Sequence, residues 1–566
     1  MQYTWWQKAV FYQIYPRSFA DGDGDGIGDL HGIIDKLDYL KELGINGLWL
    51  SPLYPSPLYD CGYDVADYTD IAPEYGTLDD FRRFLAAAHA RDIRVIMDLV
   101  LNHTSHEHPW FRASRISRDH PKRDWYVWRD PAPDGGPPNN WSSTFGGPAW
   151  EYDALTDQYY YHFFLKEQPD LNWRNPEVKT AVFDEIRFWL EMGVDGFRLD
   201  AIDTIYEHPD MPDHEAEFTQ EELIKQSKQL RWETTNKALL AQWYKMFGYQ
   251  LRQPGIHKLF QELRALIDEY DDRVLVGETS EVAFYGDGSD ELHLAFNFPL
   301  MRTEEMTPAW IRKNQEIRLS ALPPDAWPCN TLNNHDAPRV YSRYGDGEHD
   351  DALARLSLAL MLTLRGTPFL YNGEEIGMRD YLLDDVGDFK DLLGMWHYHL
   401  QRAYFEKSPE EAVKTAAKLG RDKCRTPLQW ADAPHGGFCP ADVEPWLPVN
   451  PNYADGVNVA EQEDDPDAML NFYRRLIALR NATPPLIVGE YEPLHEEAEA
   501  YLAFLRSTDE QTCLVVLNYS DAEHALSFDL EAQRARLIFS SRDRPAEDEV
   551  SAITIAPFEI YLAELH

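Results

Sequence analysis

Short apolar runs alternate with amphipathic stretches through most of this 566-residue chain, and this alternation limits the possible folds more than any other feature. The apolar runs have the length of buried strands, and the stretches between them place apolar residues three and four positions apart, as on one helix face. Repeated strand–helix units favour a parallel sheet covered by helices. We therefore expect an α/β fold, a closed (β/α)8 TIM barrel rather than an open doubly wound sheet.

Seven strands and five helices of this barrel can be assigned. The strands are predicted at Ala9–Tyr15, Gly47–Leu50, Arg94–Leu101, Gly196–Leu199, Val274–Gly277, Asn330–Leu332 and Phe369–Tyr371. The helices are predicted at Leu30–Leu43, Asp79–Arg91, Val178–Met192, His257–Tyr270 and Asp351–Leu364. An eighth strand is expected without a clear signal in the sequence.

The alternation is interrupted twice and then replaced. Residues 104–172 are rich in Pro, Gly, Asn and aromatic residues and too long for a simple loop, so they predict an inserted subdomain after the third strand. A second insertion, Asp380–Arg425, follows the last strand. The barrel is then assigned to 1–103 and 173–490, and residues 491–566 to an antiparallel β domain. Its predicted strands are Ala500–Arg506, Cys513–Tyr519, Ala535–Phe539 and Ile553–Leu562.

The charge of the chain excludes several classes of partner. With 97 acidic and 53 basic side chains its net charge is -44, which repels nucleic acid and anionic membranes but not a neutral sugar. No apolar run approaches the roughly 20 residues of a membrane span, and residues 1–8 lack a secretory signal, so a cytoplasmic protein is expected. The five cysteines are predicted to be free thiols: Cys61, Cys329, Cys424, Cys439 and Cys513.

Several predicted strands end in carboxylate, His or Asn side chains, at the barrel face where such enzymes place their chemistry. Arg198 and Asp200 lie two apart on one strand and point to the same side, so the guanidinium is expected to lower the pKa of Asp200 and keep this nucleophile candidate ionised. Glu278 ends the next strand, where desolvation and neighbouring carboxylates favour the protonated form of a general acid.

Three further side chains follow strand ends. Asp336 is a third carboxylate that could hold sugar hydroxyls and help keep Glu278 protonated. His103 and His335 could donate hydrogen bonds to hydroxyls, although either one alone is more often structural. Carboxylates converging from different strands on one barrel face indicate an active site rather than isolated loop caps.

Four stretches together resemble the signature segments of the α-amylase family, glycoside hydrolase family 13. They are Asp98–His103, Gly196–Asp200, Val276–Glu278 and Asn334–Asp336, in the family's order. Gln168–Asn172 is similar to a fifth segment, typical of the oligo-1,6-glucosidase and α-glucosidase branch. The resemblance runs from about Trp5 to Arg480, and the C-terminal part matches only in its pattern of short alternating strands.

The resemblance implies roles for the matching residues. Asp200 would be the nucleophile of a double displacement with retention, Glu278 the acid/base and Asp336 a transition-state stabiliser. Arg198, His103 and His335 would hold the sugar, and Tyr63 would stack on it. In α-glucosidases of this family a pair matching Asp60 and Arg425 closes the end of the pocket, which implies exo action. Aromatic residues of the same subsite would be Phe145 and Phe164.

Two further features carry implications from the same resemblance. Ala201 follows the nucleophile, where valine tends to accompany α-1,6 activity and Ala or Thr α-1,4 activity, so maltose and malto-oligosaccharides are favoured. A glycine-rich loop places carboxylates at alternate positions, which suits Ca²⁺ or Mg²⁺. The resemblance implies side-chain ligands at Asp21, Asp23, Asp25 and Asp29, with Ile27 through its carbonyl, in a structural site; no cofactor is expected for catalysis.

Alternatives stay open from the sequence. A transglucosylase uses the same site with a sugar hydroxyl as acceptor, and α-1,6- or sucrose-acting enzymes belong to the same branch. Trehalose-6-phosphate hydrolysis is less favoured because no Arg/Lys cluster for a phosphate is evident. From another class, some relatives are non-catalytic, transporter-associated proteins, but these have a membrane anchor and lose catalytic carboxylates.

Overall fold

The computed structural model describes residues 3–227 and 236–566. Met1, Gln2 and the segment 228–235, which the sequence analysis assigned to the barrel, lie outside the described residues.

A parallel eight-stranded sheet forms the centre of the molecule. Its strands are β1 (Phe11–Ile14), β2 (Gly47–Leu50), β3 (Arg94–Val100), β7 (Gly196–Asp200), β8 (Val274–Gly277), β9 (Leu294–Ala295), β10 (Cys329–Thr331) and β11 (Thr367–Tyr371). Their order is β10-β11-β1-β2-β3-β7-β8-β9, and a parallel bridge between Phe296 and Cys329 joins the two edges. The predicted TIM barrel is confirmed.

The strand that escaped prediction is β9. It has two residues, and between β8 and β9 the structure has only the 3-10 turn Val282–Tyr285 instead of an α-helix. A two-residue strand without a preceding amphipathic segment has no periodicity to detect.

Helices cover the barrel, and capping side chains and left-handed glycines mark some of their ends. The helices before β8 are α1 (Trp5–Lys8), α2 (Leu30–Asp35), α3 (Leu37–Leu43), α4 (Leu78–His89), α5 (Pro109–Ser114), α6 (Pro176–Met192), α7 (Gln220–Ser227), α8 (Lys237–Phe247) and α9 (Ile256–Ile267). In α6, the Asn175 side chain caps the N-terminus, and Gly193 ends the helix with φ 109°. The helix predicted at Leu30–Leu43 divides at Lys36.

The remaining helices follow β9. They are α10 (Phe298–Met301), α11 (Pro308–Ala321), α12 (Val340–Tyr344), α13 (Asp350–Thr363), α14 (Leu392–Ala403), α15 (Pro409–Leu419), α16 (Val459–Glu463), α17 (Met469–Ala482) and α18 (Pro484–Val488). The antiparallel pair α14 and α15 lies in the second insertion. The first insertion contains α5 and a small antiparallel sheet in the order β4-β6-β5, formed by β4 (Trp128–Arg129), β5 (Trp150–Asp153) and β6 (Gln158–Tyr161).

The C-terminal part is antiparallel, as predicted. Its strands are β12 (Glu490–Leu494), β13 (Tyr501–Ser507), β14 (Thr512–Asn518), β15 (His524–Leu526), β16 (Arg534–Ser540), β17 (Glu547–Glu549), β18 (Ile553–Ile555) and β19 (Ile560–Leu565). The single strand predicted at Ile553–Leu562 is wrong: β18 pairs with β15, whereas β19 lies between β14 and β16. Pro557 lies in the turn between them, where it cannot donate to a strand ladder.

All five cysteines are buried free thiols, as expected. Within residues 3–227 and 236–566, no helix combines the length and apolar character that crossing a membrane requires.

Candidate active site

A cavity of about 290 Å³ opens at the carboxyl ends of the barrel strands. This is close to the lower end of small-molecule sites, roughly 300–1,000 Å³. Nine residues selected from the sequence line it: Asp60, Tyr63, His103, Phe145, Phe164, Asp200, Ala201, Glu278 and Asp336. Three others, Arg198, His335 and Arg425, do not line it but are fully buried.

Arg198 binds three carboxylates at once. Its Nη1 lies 2.7 Å from Asp98 Oδ1 and 2.6 Å from Asp200 Oδ1, and its Nη2 lies 2.9 Å from Glu278 Oε2. The strand register explains this cluster, since Asp98 on β3 pairs with Arg198 on β7. One guanidinium therefore compensates three acidic groups.

Burial and the neighbouring carboxylates reverse the expected shift in the pKa of Asp200. Burial, followed by the charges of Glu278 and Asp98, raises the pKa of Asp200 well above its usual value, although Arg198 acts to lower it. Burial also raises the pKa of Asp98 to about 6. The expected lowering of the Asp200 pKa is not found, because Arg198 is shared. Burial and the two neighbouring carboxylates therefore favour the protonated form of Asp200.

Glu278 is oriented by backbone as well as by Arg198. It directly follows β8, and its Oε2 accepts a hydrogen bond of 2.8 Å from the amide of Ala201. Ala201 has φ 45° and ψ 39°, a left-handed conformation that turns the chain sharply after the β7 strand. This turn directs the Ala201 amide towards the carboxylate of the neighbouring strand.

Asp336 has a different electrostatic environment. Arg425 Nη2 lies 2.5 Å and Arg421 Nη1 3.5 Å from its Oδ1, and His335 Nε2 lies 3.4 Å away. Burial acts to raise the pKa of Asp336, but His335, Arg421 and Arg425 together hold it well below its ordinary value. Asp336 is thus ionised, whereas the surroundings of Asp200 favour its protonated form.

The expected Asp60–Arg425 pair is wrong. Asp60 Oδ1 instead accepts from Arg421 Nη2 at 2.7 Å, and Arg425 binds Asp336 and the carbonyl of His335. Arg421 is fixed from behind by Asp391, at 2.6 Å. Both arginines lie in the same short segment after α15, and the sequence spacing did not show which guanidinium reaches Asp60. Arg421 and Asp391 were missed.

A chain of hydrogen bonds connects Tyr63 and His335 to strands β1 and β3. Tyr63 Oη lies 2.6 Å from His335 Nε2 and 3.0 Å from Asp98 Oδ2. His335 Nδ1 lies 2.7 Å from Gln13 Nε2, on β1. Burial holds the pKa of His335 well below its usual value although Asp336 acts to raise it, and an amide donating to Nδ1 leaves a proton on Nε2. Gln13 was not singled out from the sequence.

The insertion supplies the other side of the cavity. His103 Nε2 lies 2.9 Å from Gln168 Nε2, which also donates to Asp60 Oδ2 at 3.1 Å. The rings of Phe145 and Phe164 lie 5.8 Å apart, and the Arg421 guanidinium lies 5.7 Å from the Phe145 ring. Polar lining residues near Glu278 that sequence reasoning did not identify are Asp203, Arg252, Thr279 and Glu281.

The acidic loop forms a separate cluster. Ligand atoms of Asp21, Asp23 and Asp29 lie within 4.8 Å of one another. Asp29 Oδ2 also accepts from the amides of Gly22 and Asp23, which gives the loop a defined shape. Asp25 is outside this group, and its Oδ1 accepts from the Ile27 amide. Three clustered carboxylates are the donor chemistry that Ca²⁺ or Mg²⁺ prefers.

Comparison with protein families gives two matches. Residues 13–489 match the family model described as alpha amylase, catalytic domain. Residues 491–562 match the model described as maltogenic amylase, C-terminal domain.

Individual proteins are similar over nearly the whole chain. An oligo-1,6-glucosidase of Parageobacillus thermoglucosidasius is 39% identical, with 99% of this chain and 98% of the relative covered. A probable alpha-glucosidase of Rhizobium meliloti (strain 1021) is 40% identical, with 91% and 90% covered. The crystal structure of a trehalulose synthase from Pseudomonas mesoacidophila MX-45 superposes with a TM-score of 0.89 at 35% identity, covering 100% of both chains.

Proposed function

This chain belongs to the α-amylase family and is a glycoside hydrolase of its glucosidase group, and we propose that it is an exo-acting, retaining α-glucosidase. Its substrates would be short α-glucosides, from which it releases glucose at the non-reducing end. One observation carries the proposal: the Asp200–Glu278 pair and Asp336 line a small cavity together with Asp60, which Arg421 holds in place.

The proposed chemistry requires an ionised Asp200 and a protonated Glu278. Asp200 attacks the anomeric carbon as a carboxylate while Glu278 gives its proton to the glycosidic oxygen, so the carbon–oxygen bond to the leaving sugar breaks. Water then attacks the glucosyl-Asp200 ester and returns a proton to Glu278. Asp200 and Glu278 bind the same guanidinium, at 2.6 and 2.9 Å, and this proximity supports retention, because inverting enzymes separate these carboxyls by roughly 6.5–9.5 Å.

Asp336 would act without proton transfer. Its low pKa supports a permanent negative charge facing the developing positive charge of the oxocarbenium-like transition state. Arg198 would hold the nucleophile, and Tyr63, His103, His335, Phe145 and Phe164 would contact the bound glucose. Arg425 would orient Asp336 instead of closing the cavity.

Exo action is supported by the Asp60–Arg421 pair. Arg421 is held by Asp60 at 2.7 Å and by Asp391 at 2.6 Å, both buried. A guanidinium fixed between carboxylates is a rigid wall, and its neighbour Asp60 can accept hydrogen bonds from the terminal glucose. A sugar chain continuing beyond this glucose would have to displace Arg421 from its carboxylate partners.

For the linkage we propose α-1,4, with α-1,6 as the second candidate. Ala201 combines a left-handed backbone with a side chain lining the cavity, and a β-branched residue there would be strained as well as larger. The relative named oligo-1,6-glucosidase favours the second candidate. Transfer to a sugar acceptor and action on sucrose belong to the same site chemistry.

Product analysis over maltose, isomaltose, sucrose, trehalose and maltotriose tests this function. We expect glucose from maltose at a higher kcat/KM than from isomaltose, with the α-anomer formed first. Asp200→Ala is the inactive control. A preference for isomaltose would overturn the α-1,4 assignment alone, whereas initial release of the β-anomer would overturn retention.

We also propose that Asp21, Asp23 and Asp29 hold a structural Ca²⁺ or Mg²⁺, with Asp25 and Ile27 as further ligands implied by the family resemblance. The cluster of carboxylates within 4.8 Å supports it. Calorimetric titration of the chelator-treated protein with CaCl₂ should show one site, which Asp21→Asn together with Asp23→Asn removes. Equal heats in this variant and the parent would contradict the assignment.

A further inference from the structure

A second cavity lies between the barrel and the C-terminal sheet, away from the catalytic residues. Its volume is about 670 Å³, and it shares no lining residue with the catalytic cavity. Helices α13 and α17 form one side, and β16 with the turn between β18 and β19 forms the other. We refer to it as the barrel–sheet cavity.

Three arginines line the barrel–sheet cavity without a carboxylate partner. Arg355 Nη2 donates to the carbonyl of Asp467 at 2.6 Å, Arg475 Nη1 to the carbonyl of Pro466, and Arg542 Nη2 to the carbonyl of Pro557 at 3.0 Å. In residues 3–227 and 236–566, none of the three forms an ion pair within 4.0 Å. In a chain of net charge -44, three unpaired guanidiniums in one cavity are unexpected.

The cavity also contains carboxylates, but among the described residues none of them forms an ion pair with these arginines. Asp351 accepts a hydrogen bond from Tyr341 Oη, and Asp467 and Asp543 are exposed lining residues. Burial, with the charge of Arg475 adding to it, lowers the pKa of Arg355, although the charges of Asp351 and Asp467 act to raise it. Each guanidinium donates to one backbone carbonyl, so most of its donors remain for an anion.

Aromatic rings complete the lining. The Arg355 guanidinium lies 4.8 Å from the centroid of the Phe472 ring, and Phe472 lies 6.0 Å from Phe539. Phe558 lines the opposite side. A guanidinium stacked on an aromatic ring is oriented and less hydrated, which favours planar, bidentate binding of phosphate.

We propose that the barrel–sheet cavity binds a phosphomonoester carried on a sugar or nucleoside ring. The phosphate contacts Arg355, Arg475 and Arg542, and the ring packs against Phe472 and Phe539. The volume accommodates a small organic anion and not a polymer. This site is independent of the proposed glucosidase function.

Titration calorimetry with glucose 1-phosphate, AMP and neutral glucose tests the proposal. Arg475 and Arg542 are exposed, so Arg475→Gln and Arg542→Gln leave the fold intact. Arg402→Gln is the matched control, because Arg402 is also exposed and donates to one backbone carbonyl, that of Lys407, outside the cavity. The hydrolysis of p-nitrophenyl α-glucoside should be unchanged in all three variants.

We expect one of the two phosphate esters to bind the parent protein, with affinity falling as salt rises and falling at least tenfold in each cavity variant but not in Arg402→Gln. Tighter binding of glucose 1-phosphate identifies a sugar phosphate, and tighter binding of AMP a nucleotide. Absence of binding by both, or equal affinity in Arg475→Gln, Arg542→Gln and the parent, would overturn the proposal.

Discussion

Buried arginines occur at both ends of this barrel, but their partners differ. At the carboxyl ends of the strands, Arg198 and Arg421 bind carboxylates. At the amino ends, Arg480 donates to the carbonyls of Lys8 and Gly366, the residues just before β1 and β11. Arg506, on β13, donates to the carbonyls of Thr363, Leu486 and Gly489.

The electrostatic consequences are opposite. Burial acts to lower the pKa of all four guanidiniums, but carboxylates hold the pKa of Arg198 and of Arg421 well above its ordinary value. Without such partners, burial lowers the pKa of Arg480 to about 10 and that of Arg506 to about 9. Carboxylates thus pair with the arginines at the carboxyl end, whereas among the described residues Arg480 and Arg506 bind only carbonyls, and Arg506 connects β13 to the barrel.

The largest expected effect is that of Asp200→Ala, which should remove activity without lowering stability. Loss of the nucleophile should lower kcat for p-nitrophenyl α-glucoside by about 10⁴-fold or more. The melting temperature should hold or rise, because one of three carboxylates crowding Arg198 is removed. Steady-state kinetics and thermal unfolding measure both. Activity within tenfold of the parent would remove Asp200 from the mechanism.

Arg421→Ala tests the wall of the pocket. We expect kcat/KM for maltose to fall about 100-fold, since truncating one partner of a buried charge pair costs roughly 2–5 kcal/mol. Asp60→Ala should give a similar loss, and the double variant should lose little more than either single variant, because the two residues act as one pair. Fully additive losses would show that the pair does not act as a unit.

Arg506→Met tests the amino end. It removes three hydrogen bonds from a charged, fully buried donor, so the free energy of unfolding should fall by about 2–3 kcal/mol. At 25 °C kcat should be unchanged, because no catalytic residue contacts Arg506. Chemical denaturation and kinetics at the same temperature decide this. A large loss of kcat with unaltered stability would show that Arg506 serves activity and not stability.

The smallest expected effect is a shift in the pH dependence of kcat/KM in Asp98→Asn. Burial, with Glu278 and Asp98 adding to it, raises the pKa of Asp200, so kcat/KM should fall on acidification at a pH above the usual range of about 4 for a carboxylate. Asp98→Asn removes one neighbouring charge and should move this acidic limb to lower pH. The pH profiles of the parent and the variant with p-nitrophenyl α-glucoside show the shift. An unmoved limb would mean that Asp98 does not influence the pair.

The pH dependence of stability differs between carboxylates whose pKa is raised and those whose pKa is lowered. Asp98, with a pKa of about 6 in the folded state, binds more protons folded than unfolded between roughly pH 4 and 6. Its contribution to stability is therefore present at low pH and is lost as the pH rises through this window. Asp336 and Asp391, whose pKa values are lowered, contribute stability above their ordinary pKa and lose it on acidification.

The sequence was sufficient for the barrel because strands and helices leave different periodicities, and for Asp200, Glu278 and Asp336 because strand ends converge in a closed parallel sheet. It was insufficient for β9, which has two residues, and for the split at Pro557. These are local events within a few residues, where periodicity carries no information.

The partners of charged side chains were the harder problem. Arg421 and Arg425 lie four residues apart in one segment, and only the packed structure shows that Arg421 reaches Asp60 while Arg425 reaches Asp336. The sharing of Arg198 among three carboxylates depends on the register between β3 and β7, and it reverses the expected pKa shift of Asp200.

Trapping the glycosyl-enzyme tests the central account most directly. A 5-fluoroglucosyl fluoride forms a slowly hydrolysed ester with the nucleophile of a retaining glucosidase. Mass spectrometry of the peptic digest should locate one added fluoroglucosyl group on the peptide containing Asp200. Labelling of another carboxylate, or turnover through a direct inversion without any labelled peptide, would contradict the arrangement of charges described for this end of the barrel.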